Sequence, residues 1–314
     1  MQDLMPLLGL SFEGEVRAVP EGRVVFAGEP LLEVTAPLSQ AQLVETHLLN
    51  QLCHQTVVAS KAARCVLAAA GRPMVDFSLR RTHGPRAGPQ AARLGALMGF
   101  AGTSNVAAVS LGIPASGTMA HSHIEAFPSE GAVFRAFALS HPGPVTFLVD
   151  TYDTEDGVRI AARVLTDLGL GPGCAIRLDS GDLEALARRA RALLDSAGPA
   201  ADAPYLDAAY KLVEYAGRPV RKLSSAKITA PGRKQVFRRA GLPDAIAPAQ
   251  KDPPDSAQPL LRTVMRDGRR TGPPDHWQDA RERFREDIAA LPDSTRLIED
   301  PEPVPRSGPR RWSR

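Results

Sequence analysis

Two apolar stretches, GPVTFLVD (143–150) and CAIRLDS (174–180), each run up to an aspartate, and each is followed by residues with helical spacing. This pairing restricts the fold more than any other feature of the chain. A short apolar run, an amphipathic helix and a second such run make a strand–helix–strand unit, in which the strands lie parallel. Glu155 to Leu168 supplies the intervening helix, and Leu183, Leu186, Ala187, Ala190, Leu193 and Leu194 trace one face of the next. In parallel sheets the groups that do chemistry gather at the carboxyl ends of the strands. Asp150 and Asp179 fall there, in LVDTYDT and IRLDSGD. Either acid alone is as well explained as a helix cap. Two acids at the same topological place argue for a shared site.

The remaining chain extends the α/β reading. The segment EGEVRAVPEGRVVFAGEPLLEVTAPL (13–38) alternates short Val, Leu and Phe runs with Pro and Gly, which predicts short antiparallel strands. From Ser39 to Ala70 the apolar spacing becomes helical, through Leu43, His47, Leu48, Leu52, Val57, Val58, Ala62 and Val66. MVDFSL (74–79) reads as a strand and Gln90 to Met98 as a helix. His276 to Leu291 predicts a surface helix with Trp277, Ala280, Phe284, Ile288 and Leu291 on one face. The Pro- and Arg-rich end, PEPVPRSGPRRWSR, reads as disordered. There is no internal repeat and no GxxxxGK[ST] phosphate loop.

Composition argues against several function classes. The net charge of +3 is too mild for a nucleic-acid surface, and aromatic residues, at 5%, are not interleaved with basic ones for base stacking. No apolar run is long enough to cross a bilayer, and MQDLMPLLGLSFEGEV lacks the marks of a signal peptide. Cys53, Cys65 and Cys174 form no CxxC pair, so they read as reduced thiols in a cytoplasmic protein.

GTMAHSHIEAF (117–127) is the other informative stretch. Small residues let a backbone approach a ligand closely, and histidine changes charge or carries a group near neutral pH. The plainer reading is a buried, hydrogen-bonded histidine at a loop-to-helix junction.

Six stretches in order carry a family resemblance: DFSLRRTHG (76–84), GFAGTSNVAA (99–108), GIPASGTMAHS (112–122), LVDTYDT (148–154), IRLDSGDL (176–183) and YKLVEYAGRPVRKLSSAKITAPGRKQVFR (210–238). Together, from about Phe12 to about Leu291, they resemble nicotinate phosphoribosyltransferase. The resemblance implies transfer of a phosphoribosyl group from phosphoribosyl pyrophosphate to nicotinate, giving nicotinate mononucleotide and pyrophosphate in NAD salvage, with Mg²⁺ and with ATP as co-substrate. It implies that His121 is phosphorylated by ATP, and that Asp150 and Asp179 stabilise the oxocarbenium-like transition state and hold ribose hydroxyls and magnesium. It implies that Arg177 binds the nicotinate carboxylate, with Thr118 nearby and Ser122 among the substrate-binding residues. Phe77 would stack on the pyridine ring and Arg80 would face the phosphates. His123 reads as a replacement for an apolar or aromatic residue, with no catalytic role.

The chain departs from the family in three places. It starts after the DLYxLTM-like segment whose tyrosine reaches the partner's site. LLDSAG (193–198) runs through Pro199, Ala200 and Ala201 straight into DAPYLDAAYKLVEY (202–215), so the Gly-Val-Gly-Thr loop for the 5′-phosphate and at least one βα unit are missing. Ser78 stands where glycine is usual, and Pro85 to Pro89 is proline-rich. Two readings follow: an active enzyme, or an inactive remnant or non-catalytic partner subunit of a full-length homologue. The expected fold is an incomplete type II phosphoribosyltransferase α/β barrel (36–224). A smaller strand-rich, sandwich-like domain (1–35 with 225–292) and a disordered tail (293–314) complete it. The resemblance implies a homodimer.

Overall fold

The structure is a computed structural model that describes residues 10–170, 173–192, 214–219, 231–239, 242–254, 256–298 and 301–303. The chain forms two compact units, Met1–Pro114 with Ala203–Arg314, and Ala115–Asp202.

The first unit begins with β1 (Glu15–Ala18) and β2 (Leu32–Thr35), paired antiparallel with Val16 opposite Val34. Helix α1 (Leu38–Ala68) follows Pro37 and stops where Ala70 and Gly71 take positive φ. Its one buried residue, Ala62, joins Leu97, Met98, Ala280 and Phe284 in a core cluster, against which the partly buried Ala59 and Ala63 also pack. Next come β3 (Val75–Asp76), a 3₁₀ turn at Leu79–Arg81, α2 (Ala87–Met98) and β4 (Gly102–Thr103), with β3 and β4 parallel. The strand expected over 74–79 is only two residues long. Buried Asp76 is the cause: its carboxylate accepts from Ser78 N and Thr103 Oγ1, both at 2.8 Å, and turns the chain out of the strand. Ser78 itself has φ −77°, so serine in place of glycine costs no backbone strain.

The second unit carries α3 (His121–Glu125), α4 (Glu130–Ser140), β5 (Thr146–Leu148), α5 (Thr154–Asp167), β6 (Ala175–Arg177) and α6 (Leu183–Ala192). Strands β5 and β6 are parallel, with Leu148 opposite Arg177, as the strand–helix–strand pattern requires. Asp153 caps α5 by accepting from Asp156 N at 2.9 Å. The core holds Ile124, Val133, Val149, Val158 and Ala161, with Phe134 stacked on Phe147 at 4.7 Å. Each such ring adds about 1.5–3 kcal/mol by burial. Helix α4 was not foreseen, although Ser129 caps it through Ala132 N and Val133, Phe134 and Ala138 form its buried face. Leu193, Leu194 and the junction at 199–202 lie outside the described residues.

The chain then returns to the first unit. A hairpin joins β7 (Glu214–Tyr215) to β8 (Arg218–Pro219). Strands β9 (Lys234–Arg239), β10 (Leu242–Pro248) and β11 (Gln258–Pro259) make one antiparallel sheet. Strands β12 (Arg262–Arg266) and β13 (Arg269–Arg270) join β1 and β2 in the order β13-β12-β1-β2, so both ends of the chain share a sheet. Helix α7 (Trp277–Ala290) buries Trp277, Ala280 and Phe284. Asp287, on the same helix, is buried against Arg23 Nη1 at 2.7 Å, Val24 N at 2.7 Å and Arg238 Nη1 at 2.5 Å. The disordered tail expected from residue 293 is corrected at its start. Asp293–Arg296 forms a helical turn, α8, Arg64 donates to Ile298 O at 2.6 Å, and Glu302 N to Ser294 O at 3.0 Å. Residues 304–314 lie outside the described residues. Among the described residues no helix is long and apolar enough to cross a membrane.

Candidate active site

The register of β5 against β6 builds the site. With Leu148 opposite Arg177, Asp150 and Asp179 emerge side by side two residues further on. Asp150 Oδ2 then accepts from Asp179 N at 2.8 Å and from Ser180 Oγ at 2.7 Å. The side chain is 1% exposed, and its other oxygen, Oδ1, has no hydrogen-bond donor. A buried carboxylate oxygen without a partner is costly, so this atom is poised for a ligand that brings positive charge or a donor.

Arg177 and Asp179 are two residues apart at the end of a strand, so their side chains lie on the same side. Arg177 Nη2 donates to Asp179 Oδ1 at 2.6 Å, and Nη1 to Thr118 Oγ1 at 2.7 Å. The Arg177 guanidinium, helped by His121, holds the Asp179 carboxyl below the usual aspartate range, against the opposing effect of burial. Asp179 is therefore ionised throughout the neutral range.

His121 opens α3. Ala120 before it is extended, and buried Met119 and Ile124 anchor the turn on either side. The ring is not buried, as the plainer reading would have it; its side chain is 38% exposed. Its Nε2 lies 3.6 Å from Asp179 Oδ2 and 4.0 Å from Asp150 Oδ1, and its Nδ1 is 3.1 Å from Thr151 Oγ1.

The structure thus brings five of the expected residues, Thr118, His121, Asp150, Arg177 and Asp179, into one linked group. Ser122 is exposed in the first turn of α3. Phe77 and Arg80 belong to the other compact unit. There Phe77 follows β3 directly and is 40% exposed, and Arg80 is exposed in the 3₁₀ turn. His123 packs edge-on against Phe127 at 5.3 Å and Phe137 at 6.5 Å, a packing role that fits its reading as an apolar substitute. Sequence reasoning missed Thr151 and Ser180. Each directly follows a strand-end aspartate, and that adjacency was the available signal.

For a metal, the donors are carboxylate oxygens, which suit a hard cation. Among the described residues no group of three or more His, Cys, Asp or Glu is placed to hold an ion.

No protein-family model matches the chain. The chain is 44% identical to nicotinate phosphoribosyltransferase pncB2 of Mycobacterium tuberculosis, over 94% of this chain and 72% of that protein. That alignment runs over 338 positions, more than the 314 residues of the chain, so it opens gaps on this side. The nicotinate phosphoribosyltransferase of Bacillus subtilis is 39% identical over 70% of this chain and 54% of that protein. Among solved structures, human nicotinic acid phosphoribosyltransferase superposes with TM-score 0.78 at 26% identity, covering 96% of this chain and 81% of that one. Nicotinate-nucleotide pyrophosphorylase from Pyrococcus furiosus gives TM-score 0.77 at 26% identity, covering 92% and 84%. The fold is that of the type II phosphoribosyltransferases. An identity of 44% across nearly all of this chain, joined to this fold, makes the protein a member of the nicotinate phosphoribosyltransferase family.

Proposed function

We propose that this chain transfers the phosphoribosyl group of phosphoribosyl pyrophosphate to nicotinate in the salvage branch of NAD biosynthesis, with ATP hydrolysis coupled through a phosphohistidine at His121. The supporting observation is the single linked group at the ends of β5 and β6, in which a histidine, two carboxylates, an arginine and a threonine hydroxyl lie within hydrogen-bonding or ion-pairing reach of one another.

Each member has a chemical task. Neutral His121 is a competent nucleophile toward phosphorus. Asp150 and Asp179 place negative charge where positive charge grows on the ribose as pyrophosphate leaves. Arg177 offers a planar, permanently charged guanidinium to the nicotinate carboxylate. Asp179 and Thr118 already orient it, which lowers the ordering cost of binding. Asp150 and Asp179 would hold Mg²⁺ together with substrate oxygens and water, and the ion would supply positive charge against the departing pyrophosphate. Ser122 completes the substrate contacts of the histidine turn. Phe77 and Arg80 take ring stacking and phosphate contact on the resemblance alone. A cytoplasmic homodimer belongs to the same reading.

The test is nicotinate mononucleotide formation by the purified chain, supplied with nicotinate, phosphoribosyl pyrophosphate, Mg²⁺ and ATP, alongside His121→Ala. Turnover that collapses in the variant supports the assignment. A folded chain that binds nicotinate and does not turn over favours the second reading, a non-catalytic subunit or remnant, for which the gapped alignment is the specific observation.

A further inference from the structure

Thr151 follows Asp150 directly, in the bend that leaves β5. One short piece of backbone therefore places an acid near one ring nitrogen of His121 and a hydroxyl near the other. Asp150 Oδ1 is 4.0 Å from Nε2, and Thr151 Oγ1 is 3.1 Å from Nδ1. Asp179 Oδ2 adds a second carboxylate 3.6 Å from Nε2.

These contacts decide where the proton of the neutral ring sits. A nitrogen lone pair aimed at two carboxylates is repelled by them, whereas an N–H in the same place is attracted. Nε2 therefore carries the hydrogen and Nδ1 the lone pair. A hydroxyl within 3.1 Å of a lone pair donates to it. Little else restrains the ring, because the side chain is 38% exposed and α3, five residues long, has no side-chain cap.

From this geometry we infer that Thr151 is a positioning residue for His121: its hydroxyl donates to Nδ1 and, with the two carboxylates at Nε2, selects one tautomer and one orientation of the ring. The consequence for chemistry rests on the reading that His121 accepts a phosphoryl group. The Nδ1 lone pair forms the N–P bond to the γ-phosphorus of ATP as the P–O bond to ADP breaks. The proton remains on Nε2, where the carboxylates offset the positive charge that the ring acquires. Rotation of Thr151 about its Cα–Cβ bond carries Oγ1 off the lone-pair axis and opens the path to phosphorus, so the ring need not move.

The test reads the tautomer directly, without relying on turnover. Long-range ¹⁵N–¹H spectra of the ring are recorded roughly two units above the usual histidine pKa. His121→Gln identifies the signal among the seven histidines of the chain. The wild type is expected to show Nε2–H, and Thr151→Ser to keep it. Thr151→Val should lose the bias and accept γ-phosphate from labelled ATP about tenfold more slowly, the size of one lost hydrogen bond. An Nδ1–H ring in the wild type overturns the inference. So does a Thr151→Val protein with unchanged tautomer and labelling. If Thr151→Val fails to fold, shown by collapse of the other histidine signals, the wild-type and Thr151→Ser spectra decide. A wild type with the expected tautomer that takes up no label removes the phosphohistidine role and leaves the positioning of the ring standing.

Discussion

Replacing Asp150 by asparagine and, separately, by alanine distinguishes what this side chain does for the fold from what it does for the reaction. Oδ2 accepts from Asp179 N and Ser180 Oγ, and Oδ1 accepts from nothing. Alanine strands both donors. Two bonds to a carboxylate are worth about 1.5–3 kcal/mol each, partly offset because a buried charge is also removed, so the net loss is about 2–3 kcal/mol. Asparagine keeps an acceptor where Oδ2 was. The two bonds weaken, because neutral bonds are about half as strong as charge-assisted ones, but the cost of a buried, half-satisfied charge disappears. These effects offset to within about 1 kcal/mol. Activity should divide differently. Both variants remove the charge that faces His121, and loss of one preorganised electrostatic group costs roughly 10²–10³ in kcat. Thermal unfolding and nicotinate mononucleotide formation measured on the same preparations give the two readouts. If Asp150→Asn is as destabilised as Asp150→Ala, or turns over within about threefold of wild type, the reasoning fails.

Two other perturbations test the frame around the site. A Cβ on Gly157 would lie 2.2 Å from Val149 O, in the segment that leads into Asp150. Gly157→Ala should therefore destabilise by about 1–3 kcal/mol, despite about 1 kcal/mol of better helix propensity, and should depress turnover; a variant more stable than wild type by unfolding midpoint would refute the close approach. Glu130, buried in the first turn of α4, has its carboxyl pKa raised by burial and then by Asp153 and Asp156, which outweigh the favourable helix N-terminus. Its folded pKa exceeds its unfolded one, so its contribution to stability is full below the ordinary glutamate pKa and is lost as pH rises through the raised value. Glu130→Gln should be the more stable protein at neutral pH, with the gap closing in acid, and parallel stability–pH curves would contradict this.

The parallel β5–α5–β6 unit was legible because its signals are local. Two apolar runs and an amphipathic segment between them need no knowledge of the rest of the chain. Asp150 and Asp179 could be placed at strand ends on the same grounds, and His121 at a loop-to-helix junction, where α3 begins. Other features were illegible for identifiable reasons. MVDFSL has the composition of a strand, but Asp76 bonds Thr103, 27 residues away, and ends it after two residues. Thr151 reads as an ordinary polar residue until the ring of His121 is set beside it.

By itself, then, the sequence determined which residues are chemically capable and the kind of element that carries each, because side-chain chemistry and apolar period are properties of neighbouring residues. Tertiary structure decided which of them meet. The bonds from Arg177 to Thr118 and from Asp179 and Ser180 to Asp150 span 59, 29 and 30 residues, and they exist through the register that sets Leu148 against Arg177. A slip of one residue would send those side chains to the opposite face of the sheet. Pairing register and helix crossing are properties of the packed core, which is why the orphaned oxygen of Asp150 and the grip of Thr151 on His121 emerge only in the folded chain.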